Sequence, residues 1–553
     1  MAVNGILNKN VEYMNDVSVG YDVVIVCTSN EFQADFWQTR LEGGRGTVMT
    51  PNSVVLAVDE DWSDGGAGNA LGTFYAYEKA CRKAASLGLS ADLLTSATSV
   101  AIYHTAGKGT RLAPLPGAEN NNKPGVKLPA LVDVGGELRP LTILESVIKQ
   151  TGVYGPCRKG RLSVFWGDQV FIPSISPTYE PAHHADILVA LGDMVSKQEW
   201  EDKGYDKYGL IAVNKDNQAA QVEKVSFDTA TRILANFGEL KSVGTSLGSF
   251  SVSKELLAVF LEGFSQELST KTGKLDSDPH LWMPLSLGEE AYVELMGQKD
   301  VGAEESRAHY KRMKNMLSSF DMGSKGLFGA VDVGGSACWW DYGQLKWYQK
   351  YCLRMRDSDD EAQLMRKFYD IPLGTQASSC GASLDGASCV SKCNIGSGSI
   401  TGSVLMDVDA ECVEADDAIL VGVSAGGKVV APKGAIVYNV TAPGDLILTE
   451  KDVQVGVFDT KGTMKLMRSA SDVDGGKAWK KTVNGNAESF EAVYKANLTT
   501  DVSVVEKASR EAHEEIRGDR KKKGLLFGLP PLVVAGAVLA LGAAVMFAVM
   551  KKR

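Results

Sequence analysis

Cysteine is scarce in this chain, nine in 553 residues, and no two cysteines stand in a C-x2-C pair. The low density and odd count argue against a disulfide framework and fit a reducing compartment. Cys380, Cys389, Cys393 and Cys412 cluster along the chain, but their spacing is not that of a zinc site. A basic excess is also missing. The formal net charge is −10, which argues against a nucleic-acid partner. It leaves room for a small phosphorylated ligand, which needs only a local basic pocket. The N-terminal stretch "MAVNGILNKNVEYMNDVSVGYD" has acidic residues and no long apolar core, so it does not resemble a signal peptide. What remains is ordinary globular composition, 44% hydrophobic and 23% charged, in a chain long enough for several domains.

Long apolar runs are absent except at the end. "GLLFGLPPLVVAGAVLALGAAVMFAVM", residues 524–550, carries no charge and is flanked by "RGDRKKK" and "KKR". At about 1.5 Å per residue it is long enough for a hydrocarbon core of about 30 Å. A C-terminal transmembrane helix is expected, with the membrane as a partner. The heavier basic flank lies upstream, so the positive-inside bias puts the bulk of the chain in the cytosol as a tail-anchored protein. The sequons at Asn439 and Asn497 would accept glycans only if that region were lumenal.

The rest alternates. "YDVVIVCT", "SVVLAVDE", "SVAIYHT", "RLSVFWGD", "ADILVALGDM" and "YGLIAVN" read as strands. "NEFQADFWQTRLE", "DGGAGNALGTFYAYEKACRKAASLG" and "LTILESVIKQ" read as helices or glycine-led helix starts. Strand and helix in alternation predict an α/β fold, a Rossmann-like doubly wound and mostly parallel sheet. From about Asp357 the texture changes. "QASSCGASLDGASCVSKCNIGSGSITG" reads as a Gly/Ser/Cys-rich linker. Short β-type runs follow, such as "AILVGVSA" and "VQVGVFDT", and predict a small all-β, β-helix-like domain. "TDVSVVEKASREAHEEIRGDRKKK" reads as a charged helical stalk.

The densest chemistry lies in "HTAGKGTRLAPLPGAENNNKPGVKLPA", directly after the strand "SVAIY". Glycines after a strand let backbone N–H groups approach phosphate oxygens. Here these are Gly107 and Gly109, between Ala106, Lys108 and Thr110, whose hydroxyl can donate. Arg111 can grip phosphate with two parallel hydrogen bonds, and Lys123 and Lys127 add positive charge.

The combination A-G-K-G-T-R, L-x-P-L and K-P-x-x-K-L-P resembles the sugar-nucleotidyltransferases, or nucleotide-sugar pyrophosphorylases. Their loop reads G-x-G-T-R-x-x-P-L, with a K-P segment after it. The resemblance implies that Ala106, Gly107, Lys108, Gly109, Thr110 and Gly167 bind the nucleoside triphosphate. It implies catalytic roles for Arg111 and for Lys123 or Lys127. This chain has Ala106-Gly107 where the family has G-G, and an inserted "PGAENNN" leaves both lysines in play. "VFWGDQVF" resembles the family's G-D motif and offers Asp168 as a metal ligand. "ACWWDYGQLKWY" resembles its W-x-D-x-G segment and offers Asp341, with Asp332 as a rival. Mg2+ held by such carboxylates is the implied cofactor. On the sugar side, "YGLIAVN…QAAQVEKV" resembles Y-G-x-I…V-x-E-K. That implicates Gly209 in sugar contact, Glu223 in holding sugar hydroxyls and Lys224 in holding the sugar phosphate. Where the family has N-x-G, Ser246 or Thr245 stands instead. "NEFQ" and "DGGAGNALG" upstream resemble the fucose-1-phosphate guanylyltransferase and fucokinase-like branch, which adds Gly65, Gly66 and Asn69 to the nucleotide side.

The expected organisation is therefore a nucleotidyltransferase domain over 1–356, a linker over 357–399, a β-solenoid-like domain over 400–499, a stalk over 500–523 and an anchor over 524–550. The expected reaction joins an NTP and a sugar 1-phosphate into an NDP-sugar and pyrophosphate, with room for a homo-oligomer. The alternative is a catalytically weak, membrane-anchored sensor or scaffold that binds sugar nucleotides. A glycosyltransferase is less favoured. Those enzymes use a D-x-D motif at a strand end, and the D-x-D matches here, such as Asp59–Asp61 and Asp276–Asp278, are not placed by the glycine loop.

Overall fold

Val23–Thr28, Val54–Asp59, Ser99–His104 and Arg161–Trp166 pair in parallel. Their β-branched and aromatic residues are almost wholly buried, as strands covered on both faces require. The computed structural model describes residues 3–62, 65–483 and 485–527. It divides into two compact units: Met1–Ile371 with Asp501–Ser503, and Pro372–Thr500 with Val504–Arg553.

In the first unit, helices Glu31–Gly43, Gly68–Ser86 and Ile143–Thr151 follow strands or a strand ribbon. Their starts are encoded locally. The Asn30 side chain accepts from the Gln33 amide, and Thr142 with Glu145 forms a capping box. Glu145 also takes the buried guanidinium of Arg40 at 2.8 Å, which ties two of these helices together.

The expectation of a mostly parallel sheet is corrected beyond Arg161–Trp166. The long strand Leu240–Ser253 runs antiparallel to Arg161–Trp166, to His183–Asp193 and to Gly209–Asn214. Gly326–Asp332 then pairs in parallel with His183–Asp193. The result is a mixed α/β sheet. The physical reason is one bent strand. A register shift between Ser246 and Phe250 bends Leu240–Ser253, so its C-terminal end pairs with Arg161–Trp166 and its N-terminal half with Gly209–Asn214. Under it lies a buried charge cluster. Arg158 and Arg161 share Asp186 at 3.2 and 2.9 Å.

The second unit is a parallel β-helix. Gly374, Cys389, Val404 and Ile419 stack in register at fifteen-residue steps, then Ile436 and Val453 at seventeen. Apolar side chains fill the inside. The segment expected as a linker carries its first strands, including Cys389–Ser391 and Asn394–Thr401. Its small residues serve close stacking. A Cβ on Gly398 would stand 2.0 Å from the Val413 carbonyl oxygen, and one on Gly381 2.2 Å from that of Gly396. A glycine-rich composition therefore signals tight rungs here rather than a loose connection.

The expected stalk is also corrected. Helix Val502–Phe527 lies along this β unit. Arg517 bonds Asp407 at 3.1 Å and Arg520 bonds Asp409 at 2.5 Å. His513 contacts the Ser424 hydroxyl at 2.9 Å. The sequon residue Asn439 is tied in as well, its side chain donating to the Gly456 carbonyl at 3.2 Å. Residues 528–550 of the expected transmembrane helix lie outside the described residues. No helix among the described residues is long and apolar enough to cross a membrane. The expectation of a transmembrane helix, a membrane partner and a tail-anchored, cytosol-facing placement is corrected to this: no described helix spans a membrane. All nine cysteines are free thiols.

Gly244 tests the bent strand. It pairs with Leu191 on one side and Ile211 on the other, and an added Cβ would stand 2.1 Å from the Ala190 carbonyl oxygen. Gly244→Ala is expected to cost about 2–3 kcal/mol through forced backbone displacement, read as a lower midpoint in thermal or urea unfolding. An unchanged midpoint would contradict the packing described.

Candidate active site

Parallel strands deliver their C-terminal ends to one edge, where open α/β sheets bind ligands. Here that edge holds a cavity of about 520 Å³. Glu60, His104, Trp166, Gly167 and Asp168 line it from the strand ends, joined by Gly65, Asn69, Ala106, Gly107, Lys123, Lys274 and Asp276.

The glycine loop leaves the sheet at Thr105, whose amide and hydroxyl both bond the Cys27 carbonyl oxygen at 2.9 Å. Ala106, Gly107 and Lys108 are exposed. Gly107 has φ 128 and Gly109 φ 62, conformations that favour glycine. The loop then folds back. A Cβ on Gly109 would stand 3.1 Å from the Cβ of Lys123 and from Pro116. Thr110 and Arg111 follow in a short helical turn, Thr110–Leu112.

The inserted "PGAENNN", residues 116–122, precedes both candidate lysines and gives them different partners. It forms a helical turn, Leu115–Ala118, and two left-handed residues, Asn120 and Asn121. The Asn122 side chain accepts from the Trp37 indole at 3.0 Å, and the turn Lys123–Gly125 follows. Lys123 lines the cavity and ion-pairs with Asp168. Lys127 instead bonds Glu119, from the insertion, at 2.5 Å.

Asp168 and Asp341 are brought together by backbone pairing. Strands Gln169–Ile172 and Cys338–Asp341 form an antiparallel ribbon with Asp341 opposite Gln169, and the Tyr342 amide bonds the Asp168 carbonyl oxygen at 3.0 Å. Gly343 leaves the space between the two side chains open. A Cβ there would stand 2.9 Å from Asp341 Oδ1, 3.1 Å from Asp168 Oδ2 and 3.8 Å from Lys123 Nζ. Burial pushes the Asp341 carboxyl above its usual range, and the neighbouring charge of Asp168 adds to the rise. The charges of Lys123 and Arg111 oppose it. Asp332, the rival, spends its carboxylate on the Leu191 and Gly334 amides at 3.0 and 2.8 Å. Among the described residues no group of three or more His, Cys, Asp or Glu side chains could hold a metal ion.

Other expected residues fall differently. Gly65 and Asn69 line the cavity, whereas Gly66 does not. The start of helix Gly68–Ser86 is covered by the chain at Leu275–Ser277. The Asn69 amide donates to Asp276 Oδ1 at 3.0 Å, and the Asn69 side chain accepts from the Ser277 amide. Gly209, Glu223, Lys224 and Ser246 sit around neighbouring strands and do not line the cavity. Burial alone would raise the Glu223 carboxyl, but Lys299 at 2.7 Å and Lys224 at 3.2 Å hold it below the usual range.

Sequence reasoning missed Glu60, His104, Trp166 and Lys274, and it met Asp276 and Asp278 only as an unplaced D-x-D match. The signal for several was their place just after a buried run. Burial holds His104 down at about 4, so it is neutral near pH 7, and its Nε2 meets the Thr73 hydroxyl at 2.8 Å. Burial of Asp278, together with the charge of Glu223, pushes its carboxyl up to about 7.

No family model and no curated protein matches the chain. Among solved structures it is similar to HddC from Yersinia pseudotuberculosis complexed with GMP-PN, at 12% identity over 60% of this chain and 98% of that one, with a TM-score of 0.22. A second HddC structure matches at 14% identity over 60% and 98% of the chains, TM-score 0.20. A putative glucose-1-phosphate thymidylyltransferase from Bacillus anthracis, in complex with a sucrose, matches at 11% identity over 61% and 96%, TM-score 0.18. The likeness is loose, and at such scores it carries no argument about what this chain does.

Asp278 gives a pH test. Its folded carboxyl titrates at about 7 against an ordinary 3.8. The stability of the neutral form is therefore fully present below about pH 4 and is lost as pH rises through 7. Asp278→Asn removes that loss. Its gain in unfolding free energy is expected to be near zero at pH 4, to grow between pH 4 and 7, and to level off above, at about 2–4 kcal/mol from about 1.36 kcal/mol per pH unit. A gain that does not change with pH would contradict the burial of this carboxyl.

Proposed function

We propose that this chain is a sugar-1-phosphate nucleotidyltransferase. One observation carries the reading: Lys123, Asp168 and Asp341 converge beside a glycine loop at the C-terminal ends of parallel strands. A cation, two carboxylates and exposed loop amides around one space suit a polyphosphate, whose many oxygens must be gathered and neutralised. Asp168 and Asp341 would hold Mg2+, because two hard oxygen donors completed by substrate phosphates are what that ion prefers. When bound it supplies charge neutralisation at the phosphate oxygens.

The roles of the chain's own residues follow from their positions. The amides of Gly107 to Thr110 face the phosphates from the exposed loop. Lys123 exchanges part of its bond to Asp168 for a phosphate oxygen. Arg111, whose charge reaches Asp341, steadies the departing pyrophosphate. The sugar phosphate is anionic already and attacks the α-phosphorus without a protein nucleophile. Acceleration then comes from alignment and preset charge. The Gly209, Glu223 and Ser246 region is the side from which the sugar phosphate enters.

Pyrophosphate release by the full chain with Mg2+, across four NTPs and several sugar 1-phosphates, tests this. Release is expected for one pairing. Asp168→Asn and Asp341→Asn are each expected to lower it at least 100-fold, or about 2.7 kcal/mol in the barrier. Lys127→Met, which touches Glu119 instead, is expected to fall by less than tenfold. Release that survives both aspartate changes would overturn the assignment.

A further inference from the structure

A second cavity, of about 450 Å³, shares no lining residue with the one at the strand ends. Its wall is formed by helix Leu345–Arg354, the turn after it and the start of helix Asp360–Tyr369. The volume is that of a pocket for a small organic ligand. Lys350, Arg354 and Arg356 line it together with Asp357, Glu361 and the Tyr351 ring. These charges are sorted by position. Arg354 gathers the carboxylates at one end, pairing with Asp357 at 2.8 Å, Asp359 at 2.5 Å and Glu361 at 3.3 Å. Glu361 also accepts from the Trp340 indole at 3.0 Å. Asp357 gives Arg354 only its Oδ2, and Arg356 stands 3.8 Å from its Oδ1, beyond hydrogen-bond reach. Lys350 lies one helical turn before Arg354 on the same face. Its ammonium sits 4.9 and 5.1 Å from the ring centres of Trp347 and Tyr351 and, among the described residues, pairs with no carboxylate.

A cation at one end, a carboxylate oxygen at the other and an aromatic wall between them match a nucleotide whose base carries an amino group. We propose that this cavity binds an amino-bearing mononucleotide, at a site separate from the one that takes the triphosphate. The phosphate meets Lys350, the base lies against Tyr351, and the amino group donates to Asp357 Oδ1. The aromatic wall is braced. Tyr351 stacks on Trp347 with ring centres 6.2 Å apart and meets Tyr342 edge-on at 5.9 Å. Burial raises the Tyr351 hydroxyl above its ordinary 10, and the charges of Glu361 and Asp341 add to the rise. It therefore stays protonated near pH 7 and can donate to a phosphate oxygen. Lys346, 5.0 Å from the Trp347 ring centre, strengthens the cationic end. The proposal goes beyond the nucleotidyltransferase reading and does not depend on it.

Calorimetric titration of the full chain without Mg2+ tests it. The probes are AMP, IMP, ribose 5-phosphate and inorganic phosphate. IMP carries a carbonyl where AMP carries its amino group, and that oxygen would face a carboxylate. The native chain is expected to bind AMP at least fivefold more tightly than IMP, and at least tenfold more tightly than ribose 5-phosphate or phosphate. Lys350→Met, at an exposed position, is expected to weaken AMP at least tenfold with an unchanged thermal midpoint. Asp357→Asn is expected to bring AMP and IMP within twofold of each other. Lys123→Met, in the strand-end cavity, is expected to leave AMP within twofold. AMP binding that survives Lys350→Met but is lost in Lys123→Met places the nucleotide at the strand ends and overturns the site. Equal binding of AMP and IMP by the native chain overturns the reading of the amino group. Phosphate bound as tightly as AMP overturns the nucleotide assignment, and no AMP binding at millimolar concentration overturns the proposal outright.

Discussion

Two carboxylates and an ammonium occupy one small space, and much of the first unit serves to keep them there. Asp168 and Asp341 repel each other, and burial makes that repulsion costlier. Lys123 relieves part of it by pairing with Asp168. Such an arrangement is unfavourable as a stability device. It persists because rigid backbone holds each member. Asp168 follows a buried parallel strand, Asp341 ends a ribbon strand paired to Gln169–Ile172, and Lys123 rides on a turn packed under Gly109. Gly343 keeps the centre open. Adding phosphate and a divalent cation would convert the repulsion into attraction, which is the physical basis of the polyphosphate binding proposed above.

The same logic separates the two sides of the site. Around the cavity, the groups are cations, carboxylates, glycines and a neutral histidine. Around Gly209, they are an unpaired amide and a carboxyl of raised affinity for protons. The bent strand Leu240–Ser253 links them, since its C-terminal end pairs beside the strand leading to Asp168 and its N-terminal half beside Gly209–Asn214. The β-helical unit is built of stacked parallel rungs. Its regular rungs and the basic face of Val502–Phe527 against Asp407 and Asp409 are a stability arrangement.

Legibility in the sequence followed the range of the interactions. Local signals worked best. Apolar runs marked the parallel strands, and the glycine loop was visible because its conformations require glycine. The mixed sheet was not legible, since a strand's direction depends on distant partners. The Gly/Ser/Cys stretch suggested a linker because its composition resembles a loop. Only stacking contacts fifteen residues away explain those small side chains. The apolar C-terminal run predicted a membrane span, which no described helix supports. The two lysines were inseparable by motif, and the inserted segment divides them by giving Lys127 its own carboxylate, Glu119.

The central claim is spatial: nucleotide phosphates gather at the space shared by Lys123, Asp168 and Asp341. A crystal structure of the full chain with Mg2+ and a nucleoside triphosphate, each of the four bases tried, tests it most directly. The account expects density for the triphosphate along the loop 106–111, with a metal between the two aspartates and Lys123 turned from Asp168 toward a phosphate oxygen. A triphosphate bound elsewhere, or bound here with both aspartates remote from metal and phosphate, would contradict it.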